Sequence, residues 1–411
     1  MKRRRFLKKI GFAAAGAPFW MGLMEEELIA RIPSDIRITD VKNWAVGIEA
    51  NQVFMKIYTN KGVTGLGEAS VHRKTGACKA ACDDLKLVLM GHNPTRIEFL
   101  WQGMYRWPRW RGGPVLNSAI SAAEIALWDI LGKLLDAPIY QLLGGAARDK
   151  IRLYVAGTGK EAVRQAKERG YTAIKTSPPT GAVKGVIKRP WNVKYAAKVF
   201  EEMRIEAGDD FDIATDAHGN LNAVMSLEYA RAIEPYRPLW LEEPIQPEFN
   251  DSLEWLGRQT TVPLATGERH FTKWDFEDMI SRQLVSYVQP DVIQAGGISE
   301  TKKICAMAEA QFIDAALHNP SSLPCTLASL HVDACTTNCV IQESKYKFVE
   351  RPSGWEEDLF KGARIRMKDG YAMLPEAPGL GCEFDESIAE KHPFEQVNPQ
   401  PTFGDGSVRD Y

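Results

Sequence analysis

Three short runs rich in β-branched and aromatic residues open the patterned part of the chain: Ile38-Thr-Asp-Val41, Gln52-Val-Phe-Met-Lys-Ile-Tyr58 and Val63-Thr-Gly-Leu66. A turn at Asn60-Lys-Gly62 separates the last two, so the pattern predicts a small meander. From Pro114 the period changes. Val115, Ala119, Ala122, Ala126, Ile130 and Leu134 recur at helical spacing until Gly144-Gly145, which predicts one long helix begun by proline and stopped by glycine. Residues 35–147 therefore read as an α+β unit.

After Arg148 short β-rich runs alternate with amphipathic stretches. Eight strands are expected: Arg152–Val155, Thr172–Lys175, Asp212–Thr215, Leu239–Leu241, Pro263–Ala265, Ser286–Gln289, Ile313–Leu317 and Val340–Gln342. Repeated βα units form a parallel sheet, and eight of them over 148–345 predict a compact barrel with its chemistry at the carboxyl ends of the strands. The segment 346–411 lacks the repeat and is expected to pack back on the first unit.

Composition narrows the function classes. With 45% hydrophobic and 25% charged residues, the 411-residue chain is neither disordered, nor collagen-like, nor a multi-span membrane protein. Lys+Arg 51 against Asp+Glu 53 leaves no basic surplus for nucleic acid. The seven cysteines form no Cys-x-x-Cys pair, which argues for reduced thiols over a disulfide framework or zinc site. Residues 1–34 read as a signal and linker: Arg3-Arg4-Arg5-Phe6-Leu7-Lys8 resembles a twin-arginine export motif. The apolar stretch from Ile10 to Met24 is too short to span a bilayer, where about 20 residues are needed. The expectation is an exported or periplasmic protein with no stable membrane insertion after export; a cytoplasmic location is the alternative.

Six ionisable residues fall where the predicted strands end: Asp216, Glu242, Glu268, Asp291, His318 and Glu343. Successive gaps of 26, 26, 23, 27 and 25 residues are each about one βα unit, so all six should face one mouth. Singly, each has a bland reading as a cap or core residue. Together they make three carboxylates converge where a hard cation needs oxygen ligands, and Mg²⁺ suits such a set better than zinc.

The strand-end motifs Asp216-Ala-His218-Gly219, Leu241-Glu242-Glu243-Pro244, Gly267-Glu268-Arg269, Gln289-Pro290-Asp291 and His318-Asn319-Pro320 resemble those of the enolase superfamily, mandelate racemase subgroup. Outside the barrel the likeness continues in Gly65-Leu66-Gly67-Glu68, Arg111-Gly-Gly-Pro114-Val-Leu116, Ala126-Leu127-Trp128-Asp129, Tyr140-Gln-Leu-Leu-Gly-Gly145 and Pro378-Gly-Leu-Gly381, closest to sugar-acid dehydratases of the galactonate dehydratase type. The resemblance implies an α/β fold: a (β/α)7β-type TIM barrel with an α+β capping domain built from the N-terminal segment and the C-terminal tail. It implies one Mg²⁺ per chain on Asp216, Glu242 and Glu268, with the first glutamate of the Glu-Glu-Pro motif as ligand. His318 becomes the general base, oriented by Asp291; His218 becomes the general acid. Glu343 would hydrogen-bond the substrate carboxylate or its enediolate, which implies a protonated side chain.

Such a set answers a physical need. A proton beside a carboxylate is weakly acidic, and general acid-base catalysis supplies only about 3–5 kcal/mol of the roughly 8–23 kcal/mol that enzymes provide. A cation holding the carboxylate oxygens as charge develops would supply much of the rest.

One departure bears on the reaction. Racemases and cycloisomerases of the subgroup carry Lys-x-Lys after the second strand, whereas this chain reads Lys175-Thr176-Ser177. A single histidine base with a histidine acid fits dehydration of an aldonate to a 2-keto-3-deoxy sugar acid, a carbon-oxygen lyase reaction. An epimerase or racemase of a 2-hydroxy carboxylate is the alternative, and a non-catalytic exported binding protein the reading from another class. Lys175, Arg73, Trp110 and Arg111 are candidate substrate-binding residues, the last three on capping loops. His331 and His92 read as structural. The expected partners are a sugar-acid substrate and further copies of the chain in a homo-oligomer.

Overall fold

The computed structural model describes residues 32–48, 51–177, 189–345, 355–362, 365–396, 406 and 408. The Arg3–Lys8 export motif lies outside the described residues, as do residues 178–188 between the second barrel strand and the helix that follows it. The meander is an antiparallel sheet of β1 (Ile38–Val46), β2 (Gln52–Thr59) and β3 (Thr64–Glu68). Helices α1 (Thr75–Leu89), α2 (Ile97–Arg106) and α3 (Pro114–Leu135) cover it, and the short α4 (Ile139–Leu142) leads to the barrel. The glycines of the Gly65-Leu66-Gly67 motif set how closely α3 lies on β3. A Cβ on Gly65 or Gly67 would stand 1.9 Å from the carbonyl oxygen of Ala126 or Ala122, so even alanine there would push helix and strand apart. Although α3 is long and apolar enough to cross a membrane, 78% of its most apolar window is buried here, which makes it a core helix.

All eight expected barrel strands are present: β4 (Lys150–Ala156), β5 (Ala173–Thr176), β6 (Asp212–Asp216), β7 (Leu241–Glu242), β8 (Leu264–Thr266), β9 (Tyr287–Val288), β10 (Asp314–Ala315) and β11 (Gln342–Glu343). Neighbours pair in parallel from β4 to β10, and β11 pairs with β4. The seam between β10 and β11 is carried by a bridge from Ala315 to Cys339, with Val340 N–H donating to the Ala315 carbonyl. Between the strands run α5 (Lys160–Glu168), α6 (Arg189–Ala207), α7 (Ala223–Ile233), α8 (Asn250–Gly257), α9 (Thr272–Ser281), α10 (Ile298–Glu309) and α11 (Leu323–Ala334).

Inside the ring Tyr154, Ala173, Ala214, Trp240, Ala265, Ala316 and Ile341 form a separate buried cluster. Tyr154 meets Trp240 edge-on at 5.6 Å, and Tyr287 lies 5.0 Å from Trp240. Large aromatics against four alanines plug the lumen, so the barrel is a packed core with a floor. Side chains on a strand return to one face every two residues. Two residues beyond the floor positions therefore come Lys175, Asp216, Glu242, Gly267, Gln289, His318 and Glu343.

The tail does more than its lack of pattern suggested. β14 (Tyr371–Met373), in a hairpin with β13 (Met367–Lys368), pairs antiparallel with the first residues of β4. β12 (Phe360–Lys361) then pairs with β15 (Glu383–Phe384), and Phe360 and Phe384 each lie 5.3 Å from Phe54 of β2. The C-terminal segment thus ties the meander to the barrel.

Candidate active site

The layer above the floor is ionic. The Lys175 ammonium lies 2.7 Å from Glu242, 3.2 Å from Glu343 and 3.3 Å from Asp216. Burial works against its charge, but these carboxylates outweigh that and hold its pKa well above the usual lysine value. The other Glu242 oxygen accepts from Trp240 Nε1 at 2.9 Å and Gln289 Nε2 at 2.7 Å. Burial, then neighbouring Asp216, nevertheless push Glu242 up to about 7. Glu343 differs from expectation. Burial raises its pKa, but Lys175, His318 and the Asn319 amide outweigh it, so its surroundings favour the ionised carboxylate.

His318 and Asp291 stand together on the next two strand ends. His318 Nδ1 lies 2.9 Å from Asp291 Oδ2, and its Nε2 faces Glu268 at 3.1 Å. Asp291 is itself braced, its Oδ1 accepting from Ile293 N–H at 3.0 Å with the Cys325 thiol at 3.9 Å. Burial disfavours the imidazolium, yet Glu268, Asp291 and Glu343 together raise the His318 pKa to about 10.

Across the mouth lie Asp216, His218 and Glu268, whose ligand atoms all fall within 4.8 Å of one another. His218 takes a positive φ of 48°, unfavourable for a side chain with a Cβ, and its amide donates to Asp216 Oδ1 at 2.9 Å. This turn aims the imidazole back, placing Nε2 3.1 Å from Asp216 Oδ2. Glu243 also has a positive φ, 41°, and its Oε1 accepts from Arg269 Nε at 2.7 Å. Burial, then Glu268, push Glu243 up to about 8.

Asp216 Oδ2, Glu243 Oε2 and Glu268 Oε2 are buried and accept no directed hydrogen bond. The first and last have only ion-pair contacts, to His218, Lys175 and His318. An unpartnered buried oxygen is costly, and a hard cation with carboxylate ligands relieves that cost. Asp216 and Glu268 therefore fit a cation site as they stand, whereas both oxygens of Glu242 are engaged by protein donors.

A cavity of about 620 Å³ opens between capping domain and barrel, lined by Gln52, Ser70, His72 and Pro114 on one side and His218, Glu243, Gln246, Glu268, Arg269 and His318 on the other. It shares His218, His318 and Pro320 with a second hollow, which is lined also by Lys175, Asp216, Glu343 and Lys345. Arg73, Trp110 and Arg111 line neither; Trp110 is 78% exposed, and the Arg111 guanidinium sits 5.4 Å from the Tyr105 ring. His331 is buried, with Nδ1 accepting from Tyr140 N–H and Nε2 beside the Leu380 carbonyl, and His92 packs against Phe99 and Trp107. Sequence reasoning missed Arg269, which also donates to Gln246 at 2.7 Å, and Lys345. Arg269 follows Glu268 directly, and that adjacency was its one available signal.

Residues 158–388 match the family model described as enolase C-terminal domain-like, and residues 27–144 match the mandelate racemase/muconate lactonizing enzyme N-terminal domain. D-galactonate dehydratase of Cronobacter sakazakii is 36% identical over 369 residues, covering 87% of this chain and 96% of the relative, and that of Ralstonia pickettii matches equally. Among solved structures, an enolase from Pantoea ananatis with bound D-gluconate and Mg superposes with a TM-score of 0.82 at 30% identity, covering 91% of this chain and 99% of that one. An enolase from Agrobacterium radiobacter bound to sodium and L-malate reaches 0.84 at 30% identity with the same coverage. The two matched ranges span the capping sheet and the barrel, and the chain belongs to the mandelate racemase/muconate lactonizing enzyme family of the enolase superfamily.

Proposed function

We propose that the protein is a sugar-acid hydro-lyase of the galactonate dehydratase type, converting an aldonate to its 2-keto-3-deoxy acid. One observation carries this reading: two imidazoles, His318 braced by Asp291 and His218 turned by its backbone, flank the carboxylates Asp216 and Glu268, and both imidazoles line each of the two hollows of the mouth. The D-galactonate dehydratase relatives and the gluconate-bound neighbour support the substrate class.

Asp216, Glu242 and Glu268 would hold one Mg²⁺ per chain, which requires Lys175 to release Glu242. When bound, the cation neutralises charge that develops on the substrate carboxylate. With its charge shared by a cation, Glu268 would favour the His318 imidazolium less, leaving the neutral ring as the form that takes up a proton. His318 removes the α-proton through Nε2 while Asp291 fixes its tautomer. His218 donates a proton to the departing β-hydroxyl. Lys175 and Glu343 form the polar floor beneath the carboxylate end of the substrate.

A panel of aldonates, read by 2-keto acid formation with Mg²⁺ and with chelator, tests this. Turnover that needs the cation supports the reading; α-proton exchange without water loss on every substrate would favour an epimerase. The export motif carries a separate proposal of periplasmic location. Arg3→Lys with Arg4→Lys should retain the protein in the cytoplasm, and unchanged fractionation would refute it.

A further inference from the structure

Two carboxylates of the capping domain play no part in the chemistry above, yet both are fully buried against the barrel. Glu68, at the end of β3, accepts from Ser70 Oγ at 2.7 Å, from Ser322 Oγ, and from Cys325 N–H at 3.2 Å. Ser322 is the N-cap of α11 but makes no side-chain cap of its own; Glu68 takes that acceptor role from another domain. Glu124, on α3, accepts from Ile298 N–H at 2.7 Å and Ser299 N–H at 2.9 Å, closing the start of α10, whose N-cap is Gly297. A Cβ on Gly297 would lie 2.2 Å from a Glu124 oxygen. Along the same face of α3, Ser118 donates to the Ile293 carbonyl and Ser121 accepts from Gly296 N–H.

The two helices closed in this way are the ones that follow the dyad. α10 begins after the loop leaving Asp291, and α11 begins directly after the four residues Asn319-Pro-Ser-Ser322 that follow His318. Cys325, whose amide Glu68 holds, places its thiol 3.9 Å from Asp291.

We infer that Glu68 and Glu124 are positioning residues: from the capping domain they close the N-termini of the helices behind His318 and Asp291, so that docking of the cap sets the geometry of the base. The inference rests on the reading of His318 as base, but its structural half does not.

The test uses the full chain and transfers the cap. Glu68→Ala should lower kcat by about 10- to 100-fold, as a misplaced catalytic group does, with KM within about twofold. Adding Ser322→Asp restores an acceptor for Cys325 N–H within the helix itself, and most of kcat should return. A loss of overall fold would move stability without this split or rescue. Where Glu68→Ala does not fold, Glu68→Gln serves, with the same rescue.

Hydrogen exchange read by mass spectrometry needs no substrate. Glu68→Gln should speed exchange in residues 318–326 and leave 291–299 protected, and Glu124→Gln should do the reverse. Wild-type kcat in Glu68→Ala, a fall in kcat that Ser322→Asp leaves unrepaired, or unchanged exchange overturns the inference. An inactive wild type with the exchange pattern intact would sink only the proposed function.

Discussion

The two walls of the mouth are finished to different degrees. On the base wall, His318, Asp291, Ile293 and Cys325 form a continuous chain of partnered groups, sealed behind by capping-domain carboxylates. On the acid wall, Asp216, Glu243 and Glu268 each keep an oxygen without a directed hydrogen bond, and His218 and Glu243 hold positive φ angles. Strained backbone of this kind costs of order 1–3 kcal/mol per residue and persists only where the surroundings impose it. On the proposed reading the contrast is a division of labour: protein groups alone orient His318, whereas the opposite wall keeps carboxylate oxygens that fit a cation.

The largest effects should come from breaking each wall at its centre. His318→Asn should remove both dehydration and exchange of the substrate α-proton with deuterated solvent, because Ser177 stands where a second lysine base would be needed. Proton NMR on the turned-over aldonate reads both. Surviving exchange would show that the base lies elsewhere. Glu268→Gln should abolish activity while leaving the fold intact, since it removes a negative ligand without changing core volume. Circular dichroism and cation titration separate the two, and wild-type activity in excess chelator would remove the cation from the argument.

A smaller and more selective effect is expected from the acid wall. His218→Asn should lose dehydration but keep α-proton exchange, as His318 and Asp291 stay in place. Exchange that vanishes here and survives in His318→Asn would reverse the assignment of the walls.

Much of this contrast was legible in the chain. The eight strands lie within about two residues of their expected positions, because a βα unit has a nearly constant length and its apolar runs mark the buried segments. The same regularity located the strand-end residues. What the pattern could not show is direction. Glu242 meets Trp240, two residues before it on the same face, and Lys175 of β5, while Glu243 leaves the strand through a left-handed turn and reaches Arg269. The charge of Glu343 depended on neighbours from two other strands. Glu68 closed the Gly65-Leu66-Gly67-Glu68 motif with nothing nearby to mark its role, since its partner Cys325 is 257 residues away. Trp110 and Arg111, whose chemistry suits a sugar, line neither hollow of the mouth, and Trp110 is exposed.

The smallest expected effect concerns what lies behind the base wall. His331, on α11, is buried and bonded through both ring nitrogens, and burial lowers its pKa to about 4. The ordinary value is 6.5, so as pH falls the unfolded chain takes up this proton first. The stability linked to the neutral ring is therefore complete above about pH 6.5 and is lost as pH falls toward 4, by at most about 1.4 kcal/mol per pH unit. Glu68 and Glu124, pushed up to about 7 by burial, work in the opposite direction, so the wild type alone does not isolate the effect. The difference does. At pH 7 His331→Gln should melt below the wild type, and between pH 7 and 5 that gap should narrow by a few degrees, because only the wild type loses the histidine contribution. A gap independent of pH in thermal melts would mean that His331 does not titrate on unfolding, and would leave the base wall without a link between its packing and its charge.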